Sequence, residues 1–320
     1  MRRSVVGKSI HKERGVGMFD NQMPRRGFLK TAVAGVAGAA LGRPVAALAA
    51  PLPVPPAPAA DALKLGVASY SLRKFPRDKA IEMVKALHTP FINIKSFHLP
   101  YELSPAEAEA AAREFEKEGL KIVGGGTITF EKDTDEEVRK YFEYAKHAHM
   151  PLMVVTGPPE VWPRVERFAK QYNIKVAIHN HGPEDKRYPA PADALKYIRN
   201  MDRRMGLCVD VGHTVRTGTD VVKAIADAGP RVLDMHVKDL RDLSDKDSQC
   251  IVGEGKMPIA EIFRQLRAMN YQGYVNLEYE IDQNAPLPGM KQSFAHMRGV
   301  LAGLNTGRAE GRSGQQTRRG

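Results

Sequence analysis

The chain has 320 residues, 42% hydrophobic and 27% charged, a globular balance with length enough for one large domain or two small ones. Two cysteines, Cys208 and Cys250, exclude a disulfide scaffold; a single bridge would need an oxidising compartment, and Cys208 reads as a core strand position. The net charge of +11 sits at the ends: residues 1–49 hold nine basic and two acidic side chains, and residues 306–320 four and one, so the stretch between them is near neutral and lacks the basic face that a nucleic-acid partner requires.

In chain order, Arg25-Arg26-Gly27-Phe28-Leu29-Lys30 comes first as a twin-arginine pattern. An uncharged Ala- and Gly-rich run, Thr31 to Gly42, follows, and Ala47-Leu48-Ala49 supplies a small-x-small cleavage geometry. Residues 1–49 are therefore expected to be an export signal read by the twin-arginine translocase, sending the protein to the periplasm or outside the cell. The run is shorter than the about 20 residues of a membrane span, so no stable membrane anchor is expected. The residues before Met18 or Met23 carry no fold information and are candidates for an overcalled start. Residues 50–60, with five prolines and four alanines, read as an extended linker.

From Asp61 to Asn305 apolar strands alternate with amphipathic helical stretches. The strands are expected at Leu65–Tyr70, Phe91–Phe97, Lys121–Gly124, Leu152–Thr156, Val176–His181, Leu207–Val211, Val232–Val237 and Tyr274–Glu280. The helices fall at Lys79–Leu87, Pro105–Glu118, Asp135–His149, Val161–Tyr172, Ala192–Arg199, Val221–Asp227, Ile259–Met269 and Met290–Leu304. Eight such units in about 245 residues predict an α/β fold, a single-domain (β/α)₈ TIM barrel. A doubly wound sheet would need a glycine-rich phosphate turn after the first strand, and Ser69-Tyr70-Ser71-Leu72-Arg73 is not one. Gly124-Gly125-Gly126 makes a turn or cradles an anion. The Gly-, Arg- and Gln-rich tail, 306–320, is expected to be disordered.

In a barrel, polar residues at the C-terminal strand ends read as the site. The fifth strand ends Ile178-His179-Asn180-His181-Gly182, the sixth Val209-Asp210-Val211-Gly212-His213, the seventh Met235-His236-Val237-Lys238-Asp239 and the eighth Leu277-Glu278-Tyr279-Glu280. Neighbouring strands lie about 4.8 Å apart. One donor from each can close on one divalent cation, and His179, Asp210, His236 and Glu278 give two nitrogens and two carboxylates. That mixture suits Mn²⁺, Co²⁺, Zn²⁺ or Mg²⁺ without choosing. Period two turns His181 the same way as His179 and Lys238 the same way as His236. His181, Lys238 and His213, one turn beyond Asp210, are candidates to hold substrate oxygens or move protons. Arg216 binds an anionic group or pairs with an acid. Lys95 and His98 are candidates for the opposite wall, and Glu254, in Gly253-Glu254-Gly255-Lys256, for the long loop after the seventh strand.

These motifs make the region from Leu65 to Leu304 resemble the xylose isomerase-like TIM-barrel superfamily of sugar phosphate isomerases and epimerases, which includes D-tagatose 3-epimerase, hydroxypyruvate isomerase, inosose dehydratase and the endonuclease IV nucleases. The resemblance implies a metal held by Glu, Asp, His and Glu from strands five to eight. Asp210, His236 and Glu278 match the last three positions; His179 replaces the first glutamate, and the histidine-rich fifth strand is similar to that of inosose dehydratase. Only Glu278 remains of the glutamate pair that epimerases use on the two faces of a substrate.

The implied chemistry is removal of a proton beside a carbonyl, with His181 or Glu278 as base. Returning the proton elsewhere gives a sugar isomerase or epimerase. Expelling a β-oxygen from a keto-sugar, keto-glycoside or keto-cyclitol gives a dehydratase or lyase. A carbohydrate-binding barrel without catalysis is the third expectation. A nuclease is disfavoured by the near-neutral domain.

Overall fold

The computed structural model describes residues 63–316, with side chains described to residue 305. The expected export signal and the linker lie outside the described residues.

Eight parallel strands close into a barrel. They are β1 Lys64–Ala68, β2 Phe91–Ile94, β3 Lys121–Thr129, β4 Leu152–Thr156, β5 Lys175–His179, β6 Met205–Asp210, β7 Val232–Val237 and, after a short antiparallel pair β8 Asp239–Leu240 and β9 Gln249–Cys250, β10 Tyr274–Leu277. β10 closes the ring by pairing with both β7 and β1. The surrounding helices are α1 Arg77–Ala86, α2 Pro105–Lys117, α3 Asp135–His147, α4 Trp162–Tyr172, α5 Pro191–Ile198, α7 Val221–Ala228, α8 Ile259–Ala268 and α9 Leu287–Gln316, with one short extra helix, α6 Val211–Arg216, directly after β6.

The strands alternate faces, and each face has its own filling. Outward side chains such as Val176, Ile178, Val209, Met235, Val275 and Leu277 join the buried faces of the helices in one large apolar core. Inward side chains make a smaller plug of Leu152, Val154, Ala177 and Cys208. Beside it lies a polar layer: Asp234 accepts from Asn93 Nδ2 at 2.7 Å and from Asn276 Nδ2 at 2.8 Å. Both cysteines are buried and free.

The glycine run does not end its strand in a turn. Gly124 and Gly125 lie inside β3, where a Cβ on Gly125 would stand 2.6 Å from the Met150 sulfur and 2.9 Å from the Ile94 carbonyl. Glycine is there because neighbouring strands approach too closely for a side chain. The final helix also continues past Asn305, through residues 306–316, where an irregular tail is expected. Arg308, Ala309 and Glu310 are good helix formers, and lengthening a nucleated helix costs little. Among the described residues, no helix is long and apolar enough to cross a membrane.

Candidate active site

Asp210 and His236 are register partners on adjacent strands, as are His236 and Asn276 on the next pair, so the ends of β6, β7 and β10 stand side by side. Glu278 follows, its amide donating to the Val237 carbonyl at 2.9 Å. His179 ends β5, beside Cys208 of β6. One atom from each of His179, Asp210, His236 and Glu278 lies within 4.8 Å of every other. His179 Nε2 is 3.0 Å from His236 Nδ1 and 3.8 Å from Asp210 Oδ2, and His236 Nδ1 is 3.4 Å from Glu278 Oε1. A tetrahedral cation with bonds of about 2.1 Å separates its ligands by roughly 3.4 Å. The observed separations bracket that value. Asp210 Oδ2 is buried and makes no hydrogen bond, although the Lys238 ammonium lies 3.1 Å away, so one carboxylate oxygen of the donor set is available to a cation.

Local structure fixes each ligand. Asp210 caps α6: its Oδ1 accepts from the His213 amide at 2.8 Å, which leaves Oδ2 for the centre. The positive end of that short helix favours the carboxylate. Asn180 holds the same strand end, accepting from the Asp210 amide at 3.0 Å and donating to Thr214 Oγ1 at 3.1 Å. The loop after β5 is pinned by the His181 amide on the Tyr188 carbonyl at 3.0 Å. Tyr188 is fully buried; its hydroxyl takes a hydrogen bond from Trp162 Nε1 and gives one to the Gly157 carbonyl, both at 2.9 Å.

Charge at the centre is balanced by lysines. Lys238 Nζ lies 3.1 Å from Asp210 Oδ2 and 3.0 Å from Glu278 Oε2, and it pairs with Glu280. Lys95 Nζ lies 3.6 Å from Glu278 Oε1. Burial pushes the Glu278 carboxyl up, but His236, Lys238 and Lys95 together outweigh it and hold the group well below the ordinary carboxylate range. Burial would discharge Lys238, and the three acids around it reverse that and raise it well above its usual value. Burial and neighbouring imidazoles lower His179 and His181, keeping both rings neutral at pH 7.

Two cavities open over the centre, of about 460 and 470 Å³. His179, His181, Glu278 and Lys95 line one; Lys238 and Arg216 line the other; His213, Glu280 and Tyr70 line both. His181 is more exposed than His179, at 39% against 3% of the side chain, and stands at the mouth with its Nδ1 3.3 Å from His179 Nδ1. Arg216 pairs with Glu184.

Two sequence candidates fall elsewhere. His98 is buried behind the wall, its Nδ1 3.0 Å from Ser69 Oγ and its Nε2 3.2 Å from the Leu72 carbonyl. β2 ends at Ile94, and the chain turns before His98 can continue along the inner face. Glu254 points to solvent and pairs with Arg241 at 2.8 Å. Its flanking glycines serve Asp239, whose carboxylate accepts from the amides of Gly253, Gly255 and Met257. In their place the structure adds Glu280, which period two from Glu278 signals, and Tyr70 and Phe97, which carried no recognisable signal.

The sequence pattern described as xylose isomerase-like TIM barrel matches residues 79–300. The chain belongs to that family. Within the xylose isomerase-like family, it is 26% identical over 146 residues to an inosose dehydratase of Lactiplantibacillus plantarum, covering 40% of this chain and 47% of that protein. It is 23% identical over 238 residues to an inosose dehydratase of Clostridium beijerinckii, covering 65% and 76%. The chain thus spans about half the length of the first of these relatives and three quarters of the second. Its barrel superposes on the IolI protein, solved with a bound zinc atom, with a TM-score of 0.64 at 15% identity over 75% of this chain and 98% of that one.

Proposed function

We propose that this xylose isomerase-like barrel removes a proton beside a carbonyl of a sugar-derived or cyclitol-derived substrate, with a divalent cation held by His179, Asp210, His236 and Glu278. The observation that carries the reading is the convergence of these four buried donors from four neighbouring strands, with Asp210 Oδ2 left without a hydrogen bond. When bound, such a cation polarises a carbonyl and stabilises the negative charge that develops on enolisation.

The remaining residues divide the proton work. If His179 Nε2 is committed as a ligand, its Nδ1 carries the ring proton and donates it to His181 Nδ1. Neutral His181 then has its own proton on Nε2 and faces the cavity as a donor. Glu280, across the mouth and 36% exposed, keeps a carboxylate open to both cavities while Lys238 holds one of its oxygens. We assign it the role of base. Glu278, tied to His236, Lys238 and Lys95, is placed as a ligand.

Isomerisation or epimerisation follows when the donor returns the proton to carbon. Elimination follows when His181 protonates a departing oxygen. The second outcome is favoured by the unlike pair, one imidazole donor facing one carboxylate, and by the two relatives that carry the name inosose dehydratase. A turnover screen of the metal-supplemented protein against keto-sugars, keto-glycosides and keto-cyclitols tests the reading. Mass spectrometry separates an isomer of unchanged mass from a product lacking water or an alcohol. Absence of turnover on every carbonyl substrate would leave a binding barrel in its place. We further propose export by the twin-arginine route, on the strength of Arg25-Arg26 and the run that follows.

A further inference from the structure

The cavity on the Lys238 side is lined by Arg73, Arg216, Lys238 and Lys246 against Glu184, Asp247 and Glu280. Lys238 is already matched by three acids. The two arginines are not. Arg73 is fixed by carbonyls, with Nη1 2.9 Å from Tyr70 O and Nη2 3.1 Å from Glu280 O, and its guanidinium stacks 4.2 Å over the Tyr70 ring. Among the described residues no carboxylate pairs with it at salt-bridge distance. The Arg216 side chain is 4% exposed, and its Nε is buried without a partner. Its counter-ion among the described residues, Glu184, is 58% exposed on the loop after β5. Room for the guanidinium comes from Gly182, at φ +81°, where a Cβ would stand 2.4 Å from Arg216 Nη2.

A desolvated arginine whose partner is a surface glutamate can exchange that partner for a ligand carboxylate at little cost. The glutamate recovers hydration on release, and the ligand gains a fork of N–H donors that matches its two oxygens. The cavity shares Tyr70, His213 and Glu280 with the one that His179 and Glu278 line, so the arginine side adjoins the side of the metal donors. Resting on the reading of the four donors as the reacting centre, we infer that the substrate is an acidic sugar derivative, its carboxylate held by Arg216 and Arg73 in place of Glu184.

Calorimetric titration of the full chain with glucuronate, glucose and glucose 6-phosphate tests this without turnover. Glucuronate is expected to bind about tenfold tighter than glucose, the worth of one charge-assisted pair over a neutral one. Arg216→Lys is expected to shrink the ratio below about threefold, because an ammonium lacks the fork, and Glu184→Gln to tighten glucuronate by removing the competitor. Equal binding of glucuronate and glucose, or no measurable glucuronate binding, overturns the proposal. An unchanged ratio in both variants also overturns it. A ratio that vanishes on chelation but survives Arg216→Lys assigns the carboxylate to the metal instead, and a larger gain for glucose 6-phosphate assigns the subsite to phosphate; either rejects the inference. Loss of metal binding or of proton abstraction from neutral sugars is read separately and bears on the reacting centre alone.

Discussion

His179 Nε2 and His236 Nδ1 face each other at 3.0 Å inside the barrel mouth. Two imidazole nitrogens this close cannot both present lone pairs or both present hydrogens, so one proton or one cation lies between them. The carboxylates of Asp210 and Glu278 on either side favour the cation.

Metal binding should therefore stabilise the fold and release protons as it does so. Asp210→Ala and His236→Ala are expected to lose the metal with unchanged far-ultraviolet circular dichroism. A chelator should lower Tm in the wild type and leave it unmoved in both variants. Metal analysis by mass spectrometry checks this, and full occupancy in either purified variant contradicts the assignment.

His181 should be separable from the ligands. His181→Ala is expected to keep full metal content while turnover falls by roughly 10²–10⁴-fold, the loss expected for a general acid or base. A variant that loses metal in parallel with activity would make His181 a ligand.

Glu280 and Glu254 make a contrast on neighbouring loops. Glu280→Gln should depress turnover with metal retained, because it removes the open carboxylate at the junction of the cavities. Glu254→Gln breaks only an exposed pair with Arg241 and should change stability by less than about 1 kcal/mol and turnover not at all. Steady-state kinetics and thermal melts decide, and the reverse pattern would return Glu254 to the site.

The polar layer beneath the centre predicts a pH effect. Burial pushes the Asp234 carboxyl up to about 6. A carboxyl raised on folding binds its proton more tightly in the native state. Its contribution is complete below the unfolded pKa near 4 and is lost as pH rises through about 6. Relative to Asp234→Asn, the wild type should lose on the order of 3 kcal/mol across that window. Denaturant melts of both proteins in chelator, from pH 4 to 8, measure it; parallel curves contradict it.

The barrel was readable from the sequence because β5, β6, β7 and β10 are short, mostly apolar runs with a polar residue at or within one residue of the C-terminal end: His179, Asp210, His236 and Glu278. The reading overran where tertiary bonds replace the ladder. β5 stops at His179 because the His181 amide goes to the Tyr188 carbonyl. β10 stops at Leu277 because the Tyr279 amide goes to Ser71 Oγ and the Glu280 amide to Gln249 Oε1. Ser71 and Gln249 lie far along the chain and leave no local trace. His98 misled for the same reason: Ser69 and Leu72, which hold its ring, belong to another turn of the barrel. Asn180, set between two histidines, concealed its role because its contacts are to β6 and α6.

Export rests on residues outside the described structure. Replacing Arg25 and Arg26 by Lys should leave uncleaved precursor in the cytoplasm, seen by fractionation and immunoblot. Normal accumulation outside the cytoplasm in a strain lacking the twin-arginine translocase would remove the signal.

The most direct measurement is solvent deuterium incorporation. The metal-supplemented protein is incubated in D₂O with a carbonyl substrate identified in the turnover screen, and the recovered substrate and product are examined by proton NMR. Proton abstraction at this centre predicts deuterium at the carbon beside the carbonyl in recovered substrate or in an isomerised product, and loss of that hydrogen in an eliminated product, all abolished by chelation and in His236→Ala. Product formed without deuterium, at a rate indifferent to chelator and to His236→Ala, would contradict it.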